Sequence, residues 1–144
     1  MFSAGTVATG AGSTTLPMVS IYGSANGGGI VRKITVENPT TSAVDIAVRR
    51  ATTAGTQGAS VDEVPWLDTP APQCSVVQAH SVGPTLVAGF IDRYQFPASM
   101  AGATMVWTYE GSGLVIPKGT ANGICVIPGS GTGQLCVVTI QWEE

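Results

Sequence analysis

No stretch of ten or more residues in this chain carries a helical stripe of apolar side chains. What repeats instead is a short apolar run closed by glycine or proline, which is the punctuation of strands rather than helices. The end of the chain shows it best: GLVIPKGTANGICVIPGSGTGQLCVVTIQWEE. Three apolar runs, Leu114–Ile116, Ile124–Ile127 and Leu135–Trp142, are separated by Gly-rich turns. The last run is long and β-branched, so its backbone groups need partners on both sides. We therefore expect Leu135–Trp142 to be a central strand of an antiparallel sheet, with Cys136, Val138, Ile140 and Trp142 on one face.

The rest of the chain carries the same signal. Residues 1–16 are small and polar, and fit either a first strand near Gly5–Thr9 or an arm that orders against a partner. Pro17–Tyr22 is a short strand stopped by Gly23. Ile30–Glu37 alternates, with Ile30, Ile34 and Val36 on one side and Arg32 as the exception. Ala43–Arg50 alternates again, with Val44, Ile46 and Val48 inward and Asp45 and Arg49 outward. The Asn38-Pro39-Thr40-Thr41 turn between these two predicts a hairpin. Ala51–Pro72 shows no strand period and reads as a long loop, a type often functional. Within it, Ser60-Val61-Asp62-Glu63 fits a capping box and predicts one helical turn. Strands are expected again over Cys74–His80, Thr85–Tyr94 (bent at Gly89) and Thr104–Glu110. The fold class that follows is all-β: an antiparallel β-sandwich of about eight to ten strands, with no long helix. Residues 17–144 form its single domain.

A chain of 144 residues can bury roughly 70% of its unfolded surface without metal or disulfide help. Only 10% of its residues are charged, against about 25% in an ordinary globular protein, which suits a surface partly covered by neighbours. The six Lys and Arg residues are scattered, so nucleic-acid binding is not expected. No apolar run is long enough for a membrane span, and Met1-Phe2-Ser3 does not open a signal peptide; synthesis and folding in a cytoplasm are expected. Three cysteines make no complete disulfide framework. Cys125 and Cys136 either face each other across the last hairpin or, with Cys74, are buried thiols. The single histidine, His80, lies six residues from Cys74 without an orienting third group. The Gly-rich stretches lack the Lys-Ser/Thr of a phosphate loop. Asp62, Glu63 and Asp68 lack EF-hand spacing and read as solvated loop charges. Neither a catalytic centre nor a cofactor is expected. Trp66 either packs down onto the sandwich edge or anchors a protein partner.

The final residues, with Ile116-Pro117-Lys118-Gly119, the strand Gly123–Ile127, the turn Gly129–Gly133 and the ending Val137–Glu144, resemble the end of small virion proteins of tailed bacteriophages. The strand-turn-strand Val31–Val48 is similar to their early hairpin. The resemblance covers about half the chain and is one of layout. It implies a jelly-roll-like sandwich and a non-enzymatic role as a capsid decoration (cement) protein. Such a protein would be a homotrimer on the capsid surface of the virion, bridging neighbouring capsomers by contact with the major capsid protein. The residues expected to meet the partner are Phe2 and Val7 of the arm, and Asp62, Glu63, Trp66 and Asp68 of the loop. The alternative is a head-fibre or tail module binding a host receptor or carbohydrate. Its mark would be exposed aromatics on one face, with Trp66, Tyr94 and Tyr109 as candidates.

Overall fold

A computed structural model describes residues 1–6, 8–67, 71–119 and 121–144. Among these there are twelve strands and no helix: β1 (Phe2–Gly5), β2 (Val19–Gly23), β3 (Gly29–Asn38), β4 (Val44–Ala51), β5 (Ser60–Val61), β6 (Glu63–Pro65), β7 (Cys74–Gln78), β8 (Asp92–Phe96), β9 (Ala103–Thr108), β10 (Leu114–Ile116), β11 (Gly123–Pro128) and β12 (Val137–Glu143). They form two antiparallel sheets packed as a sandwich. The first runs β10-β3-β12-β1-β6, with β9 also on β3; the second runs β5-β7-β2-β11-β4-β8. β9 and β10 follow one another along the same edge of β3, against Lys33–Asn38 and Gly29–Val31.

The long closing strand is central, as its β-branched run requires: β12 lies between β3 and β1. Cys136, Val138, Ile140 and Trp142 are all buried on its inner side. Facing them from the second sheet are Ile21, Val76, Ile124, Val126, Val48 and Ile46, which complete one apolar core.

Several expectations are corrected. β3 and β4 form no hairpin, because β3 pairs with β12 and β4 pairs with β11 in the other sheet. The Asn38–Thr41 turn is a crossover, held by the Asn38 side chain, which donates to the Ser42 carbonyl and accepts from the Thr40 amide. β11 and β12 are likewise split between sheets, and Cys74, Cys125 and Cys136 are buried free thiols. The register of β3 slips opposite Gln141 and Trp142. At this bulge the phase reverses, so Val31 is buried and Ile30 faces out, the opposite of the simple alternation. Arg32, the exception in the pattern, is the extra residue. The capping-box segment is extended, not helical: Val61 pairs with Val76, and Glu63 uses its carboxylate to accept the Val76 amide at 3.0 Å. Thr85–Tyr94 is not a strand. It makes a bridge at Leu86, turns at Gly89 with φ 86°, and becomes a strand only from Asp92.

The N-terminal residues are ordered by the chain itself. β1 pairs with both β12 and β6, and the strand is Phe2–Gly5 rather than Gly5–Thr9. Beyond it, Thr6 and Thr9 continue along β12: their amides donate to Val138 O and Cys136 O, and their hydroxyls accept the Val138 and Cys136 amides. Gly133 then lets this segment pass, since a Cβ there would overlap the Ala11 carbonyl.

Burial pushes the thiols of Cys74 and Cys125 up to about 12 and that of Cys136 up to about 11. A thiol reacts as its thiolate and only when reached. Native protein is therefore expected to give no reaction with Ellman's reagent at pH 8. The same protein in guanidinium should titrate three thiols; rapid native labelling would contradict this burial.

Candidate partner interface

The two sheets differ in what covers them. On the second sheet, β2, β4 and β11 are buried along both faces. The segments following β4 and β7 fold over its outer side, where Ala54 and Leu86 pack on Tyr22, Ala51, Val77 and Cys125 in a second small core. The outer side of the first sheet has no such cover among the described residues. Paired positions across it give the rows Thr104–Glu37–Val137, Val106–Thr35–Thr139–Gly5 and Thr108–Lys33–Gln141–Ser3–Val64. Small and β-branched residues make up most of this surface, with Glu37, Lys33 and Gln141 among them. Near the bulge, Arg32 pairs with Glu143 at 2.8 Å. The opposite charges on this face balance.

At the β6 edge the face ends in apolar side chains: Val64, Trp66 and Leu67 are 57%, 55% and 73% exposed. Trp66 extends the ladder, donating its amide to Met1 O at 3.1 Å. β6 ends at Pro65, and the chain bends at Trp66 and Leu67. At 55% exposure Trp66 stands outside the buried core.

The other proposed contact residues are dispersed. Phe2 is buried and stacked on Trp142, with ring centroids 5.7 Å apart, so it is core rather than an arm's anchor. Asp62 is exposed, whereas Glu63 is occupied in tying β6 to β7. Val7 and Asp68 lie outside the described residues. The three aromatics considered for sugar binding do not gather: Trp66 is at the β6 edge, and Tyr94 is on β8, which lies beside β9 at the far side. Tyr109 is packed against the core.

One polar pair escaped the sequence reading. Ser20 Oγ and His80 Nε2 are 2.6 Å apart, brought together by β2 and the residue just after the β7 turn. Cys74, six residues before His80, is not part of this pair, because its thiol faces Glu144. Ser20 is 0% exposed, so no substrate reaches its hydroxyl. Burial lowers the His80 pKa from its ordinary value and keeps the ring neutral. Its Nδ1 has no partner among the described residues, so nothing orients it as a base. The pair satisfies buried polar atoms under the covering segments. No group of three His, Cys, Asp or Glu among the described residues is arranged to hold a metal ion. Two depressions among the described residues are open to solvent: one of 380 Å³ beside Ser24 and Gln57, and one of 460 Å³ beside Ile30, Val115 and Glu143.

Compared with protein-family models, curated proteins and solved structures, the chain matches none of them.

Proposed function

We propose that this is a structural protein of a tailed-phage virion, a capsid decoration subunit that docks on the shell of the major capsid protein without catalysing a reaction. The observation that carries this reading is the one-sided cover of the sandwich. The middle strands of one sheet, β2, β4 and β11, are buried on both faces, while the other sheet leaves a charge-balanced face rimmed by Val64, Trp66 and Leu67. The three exposed apolar side chains of the rim lie together, and exposed apolar patches mark docking sites. A β face without covering segments suits a broad partner surface. Docking there stabilises the shell by mass action, because the subunit binds the assembled form and not the dispersed one.

The test is binding of the purified chain to phage heads that lack it, followed by cryo-EM. Density for a sandwich on the head exterior, with the first sheet toward the shell, is the expected result. A buried Trp anchor is worth about 2 kcal/mol or more, so Trp66→Ala should weaken binding about 30-fold. Heads that bind no protein, or that bind Trp66→Ala as well as wild type, would overturn the reading.

A further inference from the structure

We infer that the β9 edge is a self-association surface on which a second copy of this chain adds its own β9, antiparallel, with Val106 on the twofold axis. β9 pairs only with β3 among the described residues. Proteins protect edge strands with charge, proline or shortness, and the other three edges of this sandwich follow that rule among the described residues. β5 has two residues, β6 has three including Pro65, and β8 carries Asp92 and Arg93. β9 has six residues, ATMVWT, with neither charge nor proline.

The backbone decides which groups are free. Tyr109, just past the strand, donates its amide to Arg32 O at 2.8 Å, so the odd-numbered residues direct their N–H and C=O groups toward β3. The same parity continues across the sheet, where Val138 of β12 and Cys136 just before it direct their carbonyls to the N-terminal segment. The N–H and C=O groups of Thr104, Val106 and Thr108 therefore point to the open edge. An antiparallel partner strand must match three such residues at every second position.

The sequence of β9 meets that demand with itself. Its outward side chains read Thr104, Val106, Thr108, a palindrome about Val106. A twofold axis there places Val106 opposite Val106 and Thr104 opposite Thr108 of the second copy, closing about six N–H···O bonds. Threonine pairs across strands hydrogen-bond favourably. On β3, Glu37 is in register with Thr104 and Lys33 with Thr108. The same axis thus puts Glu37 of one copy in line with Lys33 of the other, so no like charges meet. The contact is isologous and closes at two copies. It joins the two first sheets into one continuous sheet and doubles the bare face. It differs from the threefold assembly that the phage resemblance implies, and it stands or falls in solution, apart from any binding to heads.

The experiment is sedimentation equilibrium on the full chain, with three variants. Wild type should run at twice the 14.6 kDa chain mass at high concentration. Val106→Pro should be monomeric, yet folded by circular dichroism, because its lost N–H faces the open edge where proline is tolerated. The register is tested by oxidation: Val106→Cys should yield a covalent dimer on a non-reducing gel, and Thr104→Cys, which faces Thr108, should not. The native thiols are buried and do not interfere. A wild-type monomer or trimer at all concentrations, a dimer unchanged by Val106→Pro, or equal cross-linking by Thr104→Cys would each overturn the inference.

Discussion

Replacing Trp142 with alanine is expected to remove about 3–5 kcal/mol of folding stability, the range for a large buried aromatic cut to a methyl. A chain of this size holds about 5–15 kcal/mol in total, so the variant should be only marginally folded. The reason is where the side chain sits. Trp142 is wholly buried on the inner side of β12 and stacks on Phe2 of the adjacent β1 at an interplanar angle of 21°. Its indole N–H donates to Glu144 Oε1 at 2.8 Å. The Glu144 carboxylate also accepts the amides of Gln73 and Cys74 at 2.7 Å, at the start of β7 in the opposite sheet. One side chain thus fills the core and orients the residue that ties the two sheets together at that end. Urea denaturation followed by far-UV circular dichroism measures the loss. Trp142→Phe keeps a ring for Phe2 and should recover part of it. A change below 1 kcal/mol for the alanine variant would mean that the core does not rest on this stack.

Asp45→Ala is expected to cost about 2–3 kcal/mol at pH 7, by loss of charge-assisted hydrogen bonds. Asp45 is only 4% exposed on the outer side of β4. Its carboxylate accepts from Arg93 of the neighbouring β8 and from Ser130 Oγ at 2.7 Å. The Arg93 hydrogen bond, helped by Ser130, holds its pKa below the ordinary 3.8 even though burial works the other way. The folded state therefore binds this proton less readily than the unfolded chain. The contribution is present in full above pH 4 and is lost as pH falls through the lower folded-state value. Wild type and Asp45→Ala should differ most at neutral pH, and their stabilities should converge as pH drops below 4. Arg93 is partly exposed and can be hydrated once its partner is gone, which keeps the cost below that of a stranded buried charge. A gap between the two proteins that stays constant from pH 7 to pH 2.5 would contradict this account.

The strands were legible wherever period two continued unbroken. Leu135–Trp142, Thr104–Glu110 and Ala43–Arg50 stand close to their expected limits because alternation reports local extension and a buried side. It reports neither which strand is the neighbour nor what covers the other side. Asn38–Thr41 has the chemistry of a turn, yet the same turn serves a hairpin and a crossover equally well. β3 and β4 separate because each finds a better apolar partner in β12 and β11. Asp45 alternates as an outward residue and is nevertheless buried, since Arg93 and Ser130 arrive from distant segments. Ala51–Pro72 carried no period because β5 and β6 have only two and three residues and draw their order from β7 and β1.

The residues proposed for partner contact divide in the same way. An exposed Trp66 on a Pro-rich stretch was within reach of the sequence. The burial of Phe2 was not, because a lone aromatic in a small-residue terminus gives no sign of the strand that will receive it. The bulge at Arg32 was visible only as a break in the pattern, and its register needed β12 beside it. From the sequence alone come an all-β sandwich, the central closing strand with its inner face Cys136, Val138, Ile140 and Trp142, and a surface low in charge. Those properties follow from side-chain alternation and composition, which act residue by residue. The pairing of strands, the cover over one sheet and the bare face of the other were decided only in the tertiary structure. They depend on contacts between residues far apart in the chain, where competing partners of similar hydrophobicity are separated only by packing and hydrogen-bond register.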